Sequence, residues 1–243
     1  MAKSKLVKDF KTLLQGQKLA EVNAAFEQAK REAFPEIFTS PLSDMVDSQM
    51  KTLKDRGCPK TLVNQLAGMK DMVITKGTQL WTARYPNLSL QELAEQGIYI
   101  SIPVVPRSIF DLDHLMSMVV YKGKQGKNYL NQSKVNDLIR TPNRPYWMFD
   151  VEDGLAMCGK APQDAESLVM KQKKTCTIVD EGIAVCTHTP VLAKHYVDCT
   201  GSRYELSGRV PVVCLLVSPV LGWYCADGAH DECGSVSCRA RSA

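Results

Sequence analysis

The sequence predicts an α+β protein in which an N-terminal helical region is followed by a mixed, mainly antiparallel sheet with short helices. Three observations carry this. Apolar residues recur at helical spacing up to about Gly97, and short β-branched and aromatic runs punctuated by proline and glycine follow it. The cysteines divide the same way, with Cys58 alone early and the rest between Cys158 and Cys238. The expected division is a helical region over residues 1–97 and an α+β region over residues 98–243.

Leu6, Phe10, Leu13, Leu19, Val22, Phe26 and Ala29 recur every three or four positions and predict helix from Leu6 to Phe34, bent or split at Gly16. Ser40-Pro41 reads as an N-cap followed by proline at the first helical position. Leu42, Met45, Val46, Gln49 and Leu53 continue one face, and Gly57 closes the helix in a left-handed conformation. Pro59 opens a third helix along Leu62, Leu66, Met69 and Val73. Ser89 with Glu92 forms a capping box ahead of a short helix ending at Gly97.

Beyond that point Ile98 to Ile102 reads as a strand that ends among Pro103 and Pro106, and Met116–Tyr121 and Tyr146–Val151 read as further strands. Asp111 reads as a helix cap. Glu152-Asp153-Gly154 reads as a tight turn. Short helices are expected over Ser133–Arg140, over Pro162–Met170, over Thr177–Val185 with Thr177 as its cap, and after Thr189-Pro190. Val212–Val217 and Leu221–Cys225 read as paired strands across Ser218-Pro219.

The chain has 243 residues, 44% hydrophobic and 23% charged, with a formal net charge of +4 and charges scattered along its length. This composition suits a globular protein and argues against nucleic-acid binding driven by charge. The densest basic stretches, Lys122–Lys127 and Lys171–Lys174, suit a solvated loop or helix end, although either can meet phosphates. Lys8, Asp9 and Lys11 interrupt any signal-like apolar run at the start. Val210–Val220 is shorter than the ~20 residues a spanning helix needs. The expected location is cytoplasmic, without membrane association. The odd count of nine cysteines then argues for reduced thiols.

The chemistry-bearing candidates concentrate at the C-terminus. Cys225, His230, Cys233 and Cys238, spaced C-x4-H-x2-C-x4-C, are residue types that bind zinc, and Gly228 and Gly234 allow tight bends between them. The spacing lacks the close C-x2-C pair of common zinc sites, and Asp227, Asp231 and Glu232 add negative charge. Two other roles suit the cysteines: small apolar fillers, as at Cys176, Cys186, Cys199 and Cys214, or a thiolate at Cys186, Cys199, Cys225, Cys233 or Cys238 paired with His188, His195 or His230. Asp150 and Glu152 share a strand face by alternation and suit general acid–base work or a hard cation, or simply a solvated turn. No phosphate-binding loop, dinucleotide fingerprint or hydrolase elbow is present.

Asp180-Glu181-Gly182-Ile183-Ala184 with Thr187 and Pro190, Gly201-Ser202-Arg203, Arg209-Val210-Pro211, Leu221-Gly222-Trp223 and Gly234-Ser235-Val236-Ser237-Cys238 resemble a bacterial family of unknown function over residues 98–243. His230 and Cys238 match its pattern. Tyr224 stands where that pattern has a cysteine, and Cys233 is not usual there. The resemblance implies a bacterial intracellular protein.

Together these readings predict a binding or accessory protein with a Cys/His-lined C-terminal pocket for a small-molecule or protein ligand. Arg203 serves as an anion clamp and Trp223 as a ligand-binding residue. Cys238, His230 and Asp150 are the catalytic candidates; Cys225, His230, Cys233 and Cys238 are the metal candidates, for zinc. Two alternatives stand beside this reading: a thiol-dependent Cys–His hydrolase or transferase, and a zinc-stabilised nucleic-acid-associated protein.

Overall fold

A computed structural model describes residues 36–205 and 208–243. The helix expected over Leu6–Phe34 lies outside the described residues. Helices α1 (Glu36–Asp55), α2 (Lys60–Ala67), α3 (Lys70–Arg84) and α4 (Leu90–Glu95) precede strand β1 (Ile98–Val104). Next come α5 (Leu112–Ser117), β2 (Val120–Tyr121), β3 (Lys124–Gln125), β4 (Lys127–Asn128), β5 (Val135–Asp137) and β6 (Tyr146–Glu152). Helix α6 (Pro162–Lys171), β7 (Thr175–Cys176), α7 (Val179–His188), β8 (Tyr196–Asp198), β9 (Ser202–Tyr204) and β10 (Arg209–Leu215) follow. The chain ends with β11 (Pro219–Cys225), β12 (Cys233–Ser235), β13 (Ser237–Cys238) and β14 (Ala240–Ser242). The architecture is α+β, helices first and sheets after.

One sheet has the order β1-β6-β13-β7, with β14 also pairing with β6; its pairs are antiparallel. A second runs β12-β8-β10-β11-β4, with β9 on β10 and β5 on β9, while β2 and β3 pair in a separate two-stranded ribbon. The second sheet is parallel only at β11/β4 and β12/β8. Helix α3 packs on β1 and β6, and α7 lies against β1 of the first sheet and β8 and β10 of the second. Apolar surface on both sides of β6 and all round α7 is thereby removed from water. Tyr146, Trp147, Met148 and Phe149 are buried in succession, as is every residue from Val179 to Thr187. The main core joins Val46, Leu62 and Leu66 of the helical region to Ile102, Trp147 and Ile183.

Several local expectations hold. Gly57 takes φ +85° after α1, where its amide and that of Cys58 bond back to Lys54 and Leu53 carbonyls. The Ser89–Glu92 capping box forms, Asp111 caps α5 through the His114 amide, and β10 pairs with β11.

Others are corrected. Ser40-Pro41 lies within α1 rather than at its start, since the buried face of Leu42 and Val46 repays the missing proline amide. Residues 116–121 are not one strand: Leu112, Leu115 and Met116 bury one face of α5, and only Val120–Tyr121 is extended. Ser133–Arg140 is not a helix. The Asn131 side chain accepts from the Ser133 amide in a short 3-10 turn, and β5 then pairs with β9. The expected helix after Thr189-Pro190 is a single 3-10 turn, Val191–Ala193.

Candidate functional site

Helix α7 is not capped by Thr177, whose buried hydroxyl bonds to the Val236 carbonyl instead. Its first amides are served from elsewhere. The Ile178 amide donates to Glu181 Oε2 at 3.0 Å, and the Val179 amide donates to Ser202 Oγ, also at 3.0 Å. A helix start buried between two sheets cannot use water, so each orphan amide needs a protein acceptor.

Ser202 continues the chain of bonds. Its hydroxyl donates to Asp137 Oδ1 at 2.6 Å, and Arg107 Nη2 donates to Asp137 Oδ2 at 2.8 Å. Arg107 Nη1 reaches Asp180 Oδ1 at 2.7 Å, and the Arg107 amide donates to Asp180 Oδ2 at 2.9 Å. Since Asp180 follows Val179, the circuit closes on the first turn of α7. It joins four separate segments of the chain.

This circuit forms the floor of a cleft of about 700 Å³ lined by Arg107, Asp137 and Asp180 together with Asn131, Ser133 and Asn143. Asp180 is 4% exposed. Burial pushes its carboxyl up to about 6 against the opposing pull of the Arg107 guanidinium. Two carboxylates against one guanidinium leave the floor one negative charge when both are ionised. Such a floor accepts hydrogen bonds more readily than it gives them.

The neighbouring Glu181 is fully buried and takes Arg241 Nε at 2.5 Å, Arg241 Nη2 at 2.8 Å and the Tyr146 hydroxyl at 2.9 Å. Its partners leave no open edge, and it ties α7 to β14 and β6. Gly182 follows, so closely packed that an added Cβ would stand 2.3 Å from Cys199 Sγ. The Asp180-Glu181-Gly182 run thus places one carboxylate in a cleft, one in a sealed ion pair and a gap for a sulfur.

Asp150 occupies a different centre. It is fully buried and adopts φ +52°, rare for a residue other than glycine. Its carboxylate accepts from Tyr85 Oη at 2.6 Å and Arg239 Nε at 2.8 Å, with Arg84 Nε at 3.1 Å and Lys174 Nζ at 3.6 Å. Burial alone would raise its pKa, but the bonds from Tyr85 and Arg239 and the charges of Lys174 and Arg84 outweigh it and hold the carboxyl below the usual range. Lys174 also pairs with Glu152 at 2.8 Å.

The C-terminal candidates are dispersed. His230 stacks on Tyr224 with centroids 4.7 Å apart and lines a depression of about 450 Å³ with Tyr196, Asp231, Glu232 and Cys233. Cys233 packs with Val212, Cys214 and Val220, while Cys225 is exposed at the end of β11. Cys238 is fully buried in the other sheet, and burial pushes its thiol up to about 12. Burial likewise raises Cys158, Cys186, Cys199 and Cys233. All nine cysteines are free thiols. Among the described residues, no three His, Cys, Asp or Glu side chains are grouped so as to hold a metal ion.

Arg203 spends its guanidinium on Glu166 and on the carbonyls of Thr200 and Ser202. Trp223 is 39% exposed under the Arg209 guanidinium, 3.8 Å from the ring centroid. The cleft at the head of α7 was not assembled from sequence, because Arg107, Asp137 and Asp180 lie far apart and form no local motif. The available signal was the pair of runs Asp180-Glu181-Gly182 and Gly201-Ser202-Arg203, which the fold brings together at Ser202.

No helix among the described residues is long and apolar enough to cross a membrane. No curated protein and no solved structure matches the chain. A family described as "Family of unknown function (DUF5701)" matches residues 61–243, taking in α2 to α7, both sheets and every residue of the Arg107–Asp137–Asp180–Ser202 circuit. The chain belongs to this family of unknown function.

Proposed function

We propose that the protein binds a small polar molecule carrying hydroxyl or amino groups in the cleft at the head of α7. The observation that carries this reading is Asp180, a carboxylate 4% exposed at the floor of a cleft of about 700 Å³ and anchored by Arg107. A volume in this range suits a metabolite-sized ligand. Asp137 and Asp180 accept hydrogen bonds, while Asn131, Ser133 and Asn143 offer both donors and acceptors. A second reading rests on the depression at His230, where the Tyr224–His230 stack and Cys233 form a Cys/His-lined C-terminal pocket.

The test is an amide-resonance titration with glucosamine, ribose and putrescine. Saturable shifts at Arg107 and Asp180 are expected for at least one probe. Asp180→Asn should weaken that probe about 10–100-fold, the cost of a lost hydrogen bond to a charged group. Asn143→Ala, at the exposed rim, checks the cleft without disturbing its floor. Affinity should rise as pH climbs through about 6, where Asp180 ionises and becomes a full acceptor. No shift at these residues, or equal affinity in Asp180→Asn, overturns the reading. Shifts confined to Tyr224 and Cys233 and lost in His230→Ala would favour the second.

A further inference from the structure

The opposite end of α7 carries a second cavity that the proposed ligand does not use. It is a half-open recess of about 360 Å³ lined by Arg56, Tyr121, Lys122, Cys186, His188 and Thr189, among others. Three separate elements bring its charged and polar groups together. Arg56 leaves the end of α1 just before the left-handed Gly57, and its Nη1 donates to the Met118 carbonyl at 2.7 Å. Lys122 sits in the β2–β3 turn at φ +47°, followed by Gly123 at φ +76°, and its ammonium lies 5.3 Å from the Tyr121 ring centroid. His188 is the last residue of α7.

The two sides of this cavity are electrostatically incomplete in the same sense. No carboxylate among the described residues pairs with Arg56 or Lys122. Burial lowers the Arg56 pKa with no compensating anion beside it. Both ring nitrogens of His188 are shielded from solvent without a hydrogen-bond partner. Burial, and next the charge of Arg56, pushes its pKa down to about 3, so at neutral pH it carries one N–H and one lone pair. Nearby hydroxyls are already engaged: Thr187 donates to the Ile183 carbonyl and Thr189 to the Val185 carbonyl.

We propose that this cavity binds the phosphate group of a small molecule, held between the Arg56 guanidinium and the Lys122 ammonium, with the His188 ring in its wall as a nearby reporter. The C-terminal carbonyls of α7 oppose an anion there with roughly half a negative charge. Two full positive charges outweigh them, and the Arg56–Met118 bond already quenches part of the local carbonyl density. A recess of this size favours a small ester over a polymer backbone. It also gives the basic start of the Lys122–Lys127 stretch a specific occupant in place of a diffuse one.

The experiment follows the His188 ring resonances of isotope-labelled full-length protein during titration with inorganic phosphate, ribose 5-phosphate and acetate. The expected result is a saturable shift with both phosphates and a rise in the His188 pKa, because a bound dianion favours the imidazolium. Arg56→Met, and separately Lys122→Met at its exposed turn, should each weaken phosphate about tenfold or more, whereas Lys124→Met, exposed in the same basic stretch but outside the cavity lining, should leave it unchanged. Lys122→Met keeps the test valid if Arg56→Met fails to fold. No shift with either phosphate overturns the proposal. Equal affinity in Lys122→Met or equal response to acetate does so as well.

Discussion

Substituting Gly182 by alanine puts a methyl group where α7 meets β8 and the residue after it. The added Cβ would lie 2.3 Å from Cys199 Sγ and 3.3 Å from Val197 Cγ1. Ordinary contact between such atoms is about 3.5–4 Å, so the sulfur must move or the helix must shift. Cys199 is fully buried, and overpacking of this kind costs about 1–3 kcal/mol. The large overlap places the cost near the upper end. Alanine returns up to about 1 kcal/mol through its better helix propensity, leaving a net loss of about 2 kcal/mol. For a chain of this length that is a fall in Tm of about 4–8 °C, measurable by circular dichroism. The cause is specific, so a second substitution tests it. Cys199→Ala removes the obstructing sulfur, and Gly182→Ala added to it should cost little or even stabilise, a coupling of about 2 kcal/mol. A wild-type Tm in Gly182→Ala, or strict additivity of the two changes, would refute the packing argument.

Two further substitutions probe buried charge. Asp150→Asn leaves Arg84, Arg239 and Lys174 facing a neutral amide and should cost about 3–5 kcal/mol in urea unfolding. Because the folded-state pKa of Asp150 is depressed, its contribution is present above the unfolded carboxylate value and fades as pH falls through the folded one. The variant should therefore match wild type most nearly in acid, and a constant difference down to low pH would count against this. Asp198 behaves oppositely: burial raises it to about 7, against the lowering influence of His195. Folding then favours its protonated form, and that favourable contribution is lost as pH rises from about 4 to 7. Asp198→Asn should remove a stability loss of roughly 2–4 kcal/mol between pH 5 and 8. An unchanged pH slope of unfolding would show that Asp198 is not the group responsible.

Legibility in the sequence followed the range of the interactions. The Ser89–Glu92 box, the Asp111 cap, the Gly57 stop and the β10–β11 pair depend on residues a few positions apart, and each was readable. Thr177 was misread because the capping rule assumes the nearest hydroxyl. Ser202 wins that role from 23 residues away, once β9 is laid across the start of the helix. Ser133–Arg140 was misread for a related reason, since the strand that pairs with its Val135–Asp137 portion is the distant Ser202–Tyr204. The cysteines misled in another way: a short spacing suggested convergence, yet Cys238 joins the sheet of β6 while Cys233 joins that of β8.

What the sequence determined by itself was the α+β class with helices ahead of the sheets, membership of a family of unknown function and the stock of carboxylates from which the fold draws its buried acids. Tertiary structure decided which cation meets which acid. Asp180 and Glu181 are neighbours, yet one faces Arg107 in an open cleft and the other is sealed by Arg241 and Tyr146. The physical reason is that a buried charge is tolerable only beside its counter-charge, and those partners come from β6, β14 and the loop after β1. Local pattern names the acid; only the packing of distant strands names its partner and sets one acid in the lining of a cleft.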